Sequence, residues 1–205
     1  GAAAAKLLPL LAQDPWRWLG DEKRTADLRR LLARLAWLRE RMPDLGLPAF
    51  DDAALAAVAG ELLADRTSLR ELDPDALAHL LQSRLSPPQQ RALRESAPDR
   101  IELPSGRAAK IDYAAAAGPT VAARLQEFFG LRAVSALAGG RVPVVLELLA
   151  PNHRPVQVTT DLPSFWANVY PQIRRELSRR YPRHAWPEDP LTATAEARPK
   201  RRRPS

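Results

Sequence analysis

The chain has 205 residues, 45% of them hydrophobic and 27% charged, a balance that fits a globular protein with one or two domains. It has no cysteine, which excludes disulfides, thiolate metal sites and a thiol nucleophile, and no run of 18 or more apolar residues that would span a membrane. The net charge is +7, and the stretch from Ser164 to the C-terminus carries +6 of it, a distribution that favours a polyanionic partner.

The opening Ala2–Leu11 is apolar but holds only Lys6 as a positive charge, so it lacks the layout of a signal peptide. The chain starts without methionine and reads as an excised fragment or a processed chain. Asp21 to Arg41 places Leu28, Leu31, Leu32, Leu35, Trp37 and Leu38 at helical spacing, and Met42-Pro43 ends the run. Asp51 or Asp52 caps a second helix with Leu55, Val58, Leu62 and Leu63 as its buried stripe. Asp73-Pro74 and Ser86-Pro87 each read as an N-cap followed by a first-turn proline, and open two further helices.

The pattern changes near Pro98. Arg100–Leu103 and Arg107–Tyr113 alternate around a Pro104-Ser105-Gly106 turn, which predicts a β-hairpin. Pro119-Thr120 predicts a short helix over Val121–Phe129, stopped by Gly130. Arg141–Leu149 reads as a buried strand, and Val156–Thr160 as its hairpin partner across a turn-rich link. Asp161 caps a helix bearing Phe165, Trp166, Val169, Tyr170, Ile173 and Leu177, with arginine pairs at 174/175 and 179/180 on its polar face. Tyr181 to Pro190 has no period, and Leu191 to Ser205 reads as a disordered basic tail. The expectation is an α+β chain: a helical domain over 1–97, a small β domain over 98–190 compatible with a barrel, ending in a helix, and an extended tail over 191–205.

Catalytic chemistry finds no residues to stand on. No glycine precedes a lysine, so a phosphate-cradling G-x-x-x-x-G-K loop is absent, and neither G-x-G-x-x-G nor G-x-S-x-G occurs. His79 sits on a helix, and His153 and His184 sit in loops among arginines. The adjacent carboxylates Asp51-Asp52 and Glu188-Asp189 are not arranged to face one substrate. No catalytic residue, metal ligand or cofactor site is expected, nor a small-molecule substrate.

Several segments follow one another in order: Leu103-Pro104-Ser105-Gly106, Arg124 to Leu131, Leu148 to Leu162, Phe165-Trp166, and Arg179-Arg180-Tyr181-Pro182-Arg183-His184 followed by Trp186-Pro187-Glu188-Asp189-Pro190. This series resembles the C-terminal region of the bacterial HrpB-type ATP-dependent helicases of the DEAH-box class. One position departs from it: Ala150 stands where the resemblance leads one to expect serine before the proline. The resemblance implies helical domains and an OB-like barrel that follow two ATPase domains, near the RNA path. It implies a cytoplasmic, non-catalytic accessory module for single-stranded RNA or DNA, working with the ATPase domains in cis.

Arginine binds phosphate through a planar fork and aromatic rings stack on bases. On those grounds the candidate nucleic-acid contacts are Arg154, Arg174, Arg175, Arg179, Arg180, Arg183, His184, Tyr181 and Trp186, with Arg201-Arg202-Arg203 adding salt-sensitive affinity. Two alternatives stand beside this. Tyr181 and Trp186 pin the C-terminal segment instead of stacking on bases, and Arg154 forms a salt bridge in its turn. At the level of the whole chain, the alternative is a scaffolding region that docks on the ATPase domains or another protein.

Overall fold

A computed structural model describes residues 2–63 and 68–197. The chain is α+β and divides into two compact units, Gly1–Asp99 and Arg100–Ser205. None of the described helices is long and apolar enough to cross a membrane.

The first unit is helical: α1 Ala2–Gln13, α2 Trp16–Leu19, α3 Ala26–Arg41, α4 Asp52–Leu62, α5 Pro74–Ser83 and α6 Pro87–Glu95. The expected start signals hold. Asp51 accepts from Ala54 N at 2.8 Å, and Asp73 accepts from Asp75 N at 3.0 Å ahead of Pro74. At Ser86 the backbone N–H donates to Gln89 Oε1 at 2.9 Å. Each satisfies an amide that the first helical turn leaves without a partner. Leu28, Leu55, Val58, Leu63, Leu77 and Leu81 meet in one core with Leu11 and Leu19. Gly60 lets α1 approach α4 closely, since a Cβ there would collide with Leu8 Cδ2. Arg34 closes the far end of α6 by donating to Leu93 O and Ala97 O at 3.1 and 2.9 Å, the placement a cation favours at a helix C-terminus.

The second unit starts with the expected hairpin. Strands β1 Arg100–Glu102 and β2 Ala108–Lys110 pair antiparallel, with Ile101 opposite Ala109. Gly106 takes φ 81° in the turn, which a side chain would resist, and its N–H donates to Leu103 O at 2.9 Å. The predicted helix over Val121–Phe129 is not present. Thr120–Arg124 forms strand β3, followed by a 3₁₀ turn over Leu125–Phe128. The reason is alternation: Val121 and Ala123 point inward while Ala122 is exposed, and helical propensity yields to that burial.

Strand β4 Val145–Leu149 lies in the centre of a three-stranded sheet, parallel to β3 and antiparallel to β5 Pro155–Thr159. The predicted strand from Arg141 begins only at Val145; before it, Leu137–Gly140 forms a tight turn, α7, with Ala138 and Gly139 in left-handed conformation. The described strands form a two-stranded and a three-stranded sheet, not one closed barrel. An antiparallel bridge between Asp112 and Thr120 lies between the two.

Asp161 caps the last helical run as expected, accepting from Ser164 N at 3.0 Å. The run is α8 Leu162–Ser164, a π-helical turn Phe165–Val169, and α9 Tyr170–Arg180. The wide turn has a local cause. Pro171 has no N–H to offer the carbonyl four residues back, and Tyr170 N–H bonds Phe165 O five residues back.

Candidate nucleic-acid interface

The aromatic residues of the last helical run are core. Phe165, Trp166 and Tyr170 are buried with Phe129. Trp166 and Tyr170 meet edge to face at 5.4 Å, and Phe129 and Tyr170 at 6.1 Å. Their polar ends are spent internally: Trp166 Nε1 donates to Leu131 O at 2.9 Å and Tyr170 Oη to Pro187 O at 2.8 Å. Burial pushes the Tyr170 hydroxyl pKa well up, against the opposing charge of Arg174.

This buried knot orients α9 and the chain that follows it. Arg174 is half-buried and donates to Trp186 O at 3.3 Å and to Glu188 Oε1 at 3.2 Å. Trp186 Nε1 donates to Tyr181 O at 2.9 Å, and the Tyr181 and His184 rings meet edge to face at 6.4 Å. Gly130 N–H donates to Pro190 O at 2.9 Å. Residues 191–197, where the sequence suggests disorder, run on beside the 3₁₀ turn, and Glu196 N–H donates to Gln126 O at 3.0 Å. Residues 198–205, with the arginine run 201–203, lie outside the described residues.

The nine sequence-predicted residues thus separate. Arg174 and Trp186 hold the segment after α9, and Tyr181 contributes a carbonyl to the same purpose. Arg175, Arg179, Arg180 and Arg183 are exposed, and no side-chain hydrogen bond or ion pair engages them among the described residues. Arg180 lies 5.6 Å over the Tyr181 ring. With Glu176 the one carboxylate among them, these four cations within nine residues give the stretch a net positive charge.

Arg154 stands apart from this group, on the β4–β5 turn. That turn is closed by the chain itself: Ala150 N–H donates to Arg154 O at 2.8 Å, His153 N–H to Ala150 O at 2.9 Å, and Arg154 N–H to Asn152 Oδ1 at 3.2 Å. A serine hydroxyl at Ala150 is not needed for it. The Arg154 side chain is exposed and joins no salt bridge among the described residues.

His184 is half-buried. Its pKa is lowered, first by burial and then by the Arg124 and Arg183 charges, with Glu196 opposing. Arg124 is a residue that sequence reasoning passed over, because the stretch reads as a helix and because arginine is abundant throughout. It lies 3.9 Å from Glu127, whose carboxylate is 3% exposed and is gripped by Arg107 at 2.9 and 2.7 Å. That bidentate bond raises the Arg107 pKa further, against the effect of burial. Among the described residues no group of histidine and carboxylate side chains is placed to hold a metal ion.

Known proteins resemble this chain in sequence and fold. The family model for the ATP-dependent helicase C-terminal region, HrpB_C, matches residues 59–190. The ATP-dependent RNA helicase HrpB of Escherichia coli K12 is 37% identical over 181 residues, 86% of this chain and 22% of that protein. A crystal structure of the E. coli DExH-box NTPase HrpB superposes with a TM-score of 0.74 at 35% identity, over 85% of this chain and 22% of the other. A second, of the E. coli DEAH/RHA helicase HrpB, gives 0.67 at 32% identity, over 87% of this chain and 23% of the other. The chain therefore spans about a fifth of the length of the relatives it matches. With the family model covering well over half of its residues, the chain belongs to the HrpB-type ATP-dependent helicase C-terminal family.

Proposed function

We propose that this chain is a non-catalytic accessory module of an ATP-dependent RNA helicase, and that its second unit binds single-stranded nucleic acid as an OB-like platform would. The observation that carries this reading is the set of unengaged arginines, Arg175, Arg179, Arg180 and Arg183, held in place by a buried aromatic knot. A backbone already fixed beneath the cations lowers the ordering cost of binding. Arg174, His184, Tyr181 and Trp186 border that surface, the last two with half-buried rings, and Arg154 adds an exposed cation apart from it on the β4–β5 turn. RNA is taken as the ligand, which the E. coli relative's identity as an ATP-dependent RNA helicase supports, and the ATPase domains as the partner in cis, in a cytoplasmic setting.

Fluorescence anisotropy with a labelled single strand of about 20 nucleotides tests it, a length beyond single-module site sizes. Binding should be measurable at low salt and fall steeply as salt rises. Replacing Arg175, Arg179, Arg180 and Arg183 together by alanine should abolish most of it; unchanged affinity in that variant would sink the reading. A docking role on the ATPase domains is the second reading. It is favoured by Leu8, Leu10 and Val158, exposed at 44, 43 and 53%. It predicts weak nucleic-acid binding and tight association with separately expressed ATPase domains.

A further inference from the structure

Beside the β4–β5 turn, the second unit has a cleft of about 440 Å³ lined by Arg107, Arg124, Glu127, Leu149, His153 and Ala197, among others. Its size falls in the range of ligand clefts. Two guanidinium groups meet one buried carboxylate there, so the trio holds one positive charge beyond what the carboxylate needs. The Glu127 carboxylate takes Nε and Nη2 of Arg107. An arginine has five N–H donors in a fixed plane, so the Nη1 edge is left for another acceptor. Arg107 is also 45% exposed, whereas Glu127 at 3% is covered. The carboxylate thereby fixes the guanidinium and turns its remaining donors outward, the way a preorganised phosphate fork is built.

The other walls suit the same ligand. His153 is held in left-handed backbone conformation at φ 63° by the turn's own hydrogen bonds, which commits its ring to the cleft wall. Apolar Leu149, Ala122 and Ala123 complete the lining, a surface on which a sugar can rest. Arg124, with its side chain 18% exposed, also acts electrostatically on His184. The cleft is therefore electrostatically linked to the segment that carries Arg183.

The geometry points to a phosphodiester-binding site in this cleft: Arg107 and Arg124 receive one phosphate of a single strand, with Glu127 as the positioning residue for Arg107 and His153 as a flanking donor. This rests on the nucleic-acid reading above and adds to it a specific subsite, away from the arginines on α9.

The test uses the full 205-residue chain and the same labelled strand. In Arg107→Gln/Glu127→Gln the net charge is unchanged and no buried carboxylate is left unpaired, so the donor fork is removed without a change in charge. Affinity should fall about tenfold, the scale of one charge-assisted hydrogen bond. Arg124→Gln should weaken binding by a similar factor, and Arg91→Gln, an exposed arginine of the first unit, by less than about twofold. Thermal melting by circular dichroism checks folding. If the double variant is unfolded, Arg124→Gln and His153→Ala carry the test. Cleft variants that bind like wild type, while the fourfold alanine variant on α9 and its flank does not, overturn this site and leave the functional reading intact. A wild-type chain that binds no strand overturns both. Competition by 5′-uridine monophosphate at micromolar concentration would assign the cleft to a free nucleotide's terminal phosphate and overturn the backbone assignment.

Discussion

Gln126 is 2% exposed, and neither its Nε2 nor its Oε1 meets a hydrogen-bonding partner among the described residues. Its backbone, by contrast, is used: its carbonyl accepts from Glu196 N–H. A buried amide without partners costs about 1–3 kcal/mol, so Gln126→Met, which keeps the volume and drops the polar atoms, should raise stability by about 1 kcal/mol, read as a higher midpoint in urea. His184 acts in the other direction. Its folded-state pKa lies below the ordinary histidine value, so the unfolded chain takes up the proton first as pH falls. Stability should therefore be full above about pH 6.5, the unperturbed histidine value, and decline as pH drops below it. His184→Gln should flatten that part of the pH profile, checked by melting at a series of pH values. Neither property is visible in sequence, where Gln126 reads as a polar residue in a short helix and His184 as one more loop histidine.

The elements differ in how much of their origin is local. Helices α4, α5 and α6 of the first unit were legible because their signals lie within one turn of chain, Asp51, Asp73-Pro74 and Ser86-Pro87, whereas α1, which carries no such signal, and α2 were not. The β1–β2 hairpin was legible for the same reason, its turn residues and alternation being adjacent. Strand β3 was not. Its five residues, Thr120–Arg124, carry two alanines, and its neighbour β4 starts at Val145, so pairing partners are far apart along the chain. A parallel pair needs a long connection, and no turn motif announces one. The segment after α9 behaves likewise, being fixed by distant groups such as Gly130. That glycine has φ 84°, and an added Cβ would lie 3.6 Å from Ala193 O. Gly130→Ala should cost about 1–2 kcal/mol through the left-handed strain and loosen residues 190–197, seen as faster amide exchange of Glu196.

At the scale of the whole molecule the charge asymmetry becomes a measurable quantity. Arg175, Arg179, Arg180 and Arg183 are exposed and without a side-chain hydrogen bond or ion pair among the described residues, so each is available to displace a counterion from a strand. If each meets one phosphate, their removal should lower the slope of log affinity against log salt by about 0.7 per arginine. Arg174→Ala should behave differently: it already serves Trp186 O and Glu188, so its loss should lower stability more than it changes the slope.

The sequence by itself determined the two-part division of character, the helical caps, the first hairpin and the family signature, because each rests on residues close together in the chain. It also located the arginine-rich end, since charge is additive and needs no fold to be counted. Only the tertiary structure decided which cations are engaged. Hydrogen bonds from Arg174 to the segment after α9, and from Arg107 to Glu127 twenty residues away, depend on the chain folding back on itself. No local pattern encodes that, because the partners are brought together by tertiary packing and not by spacing.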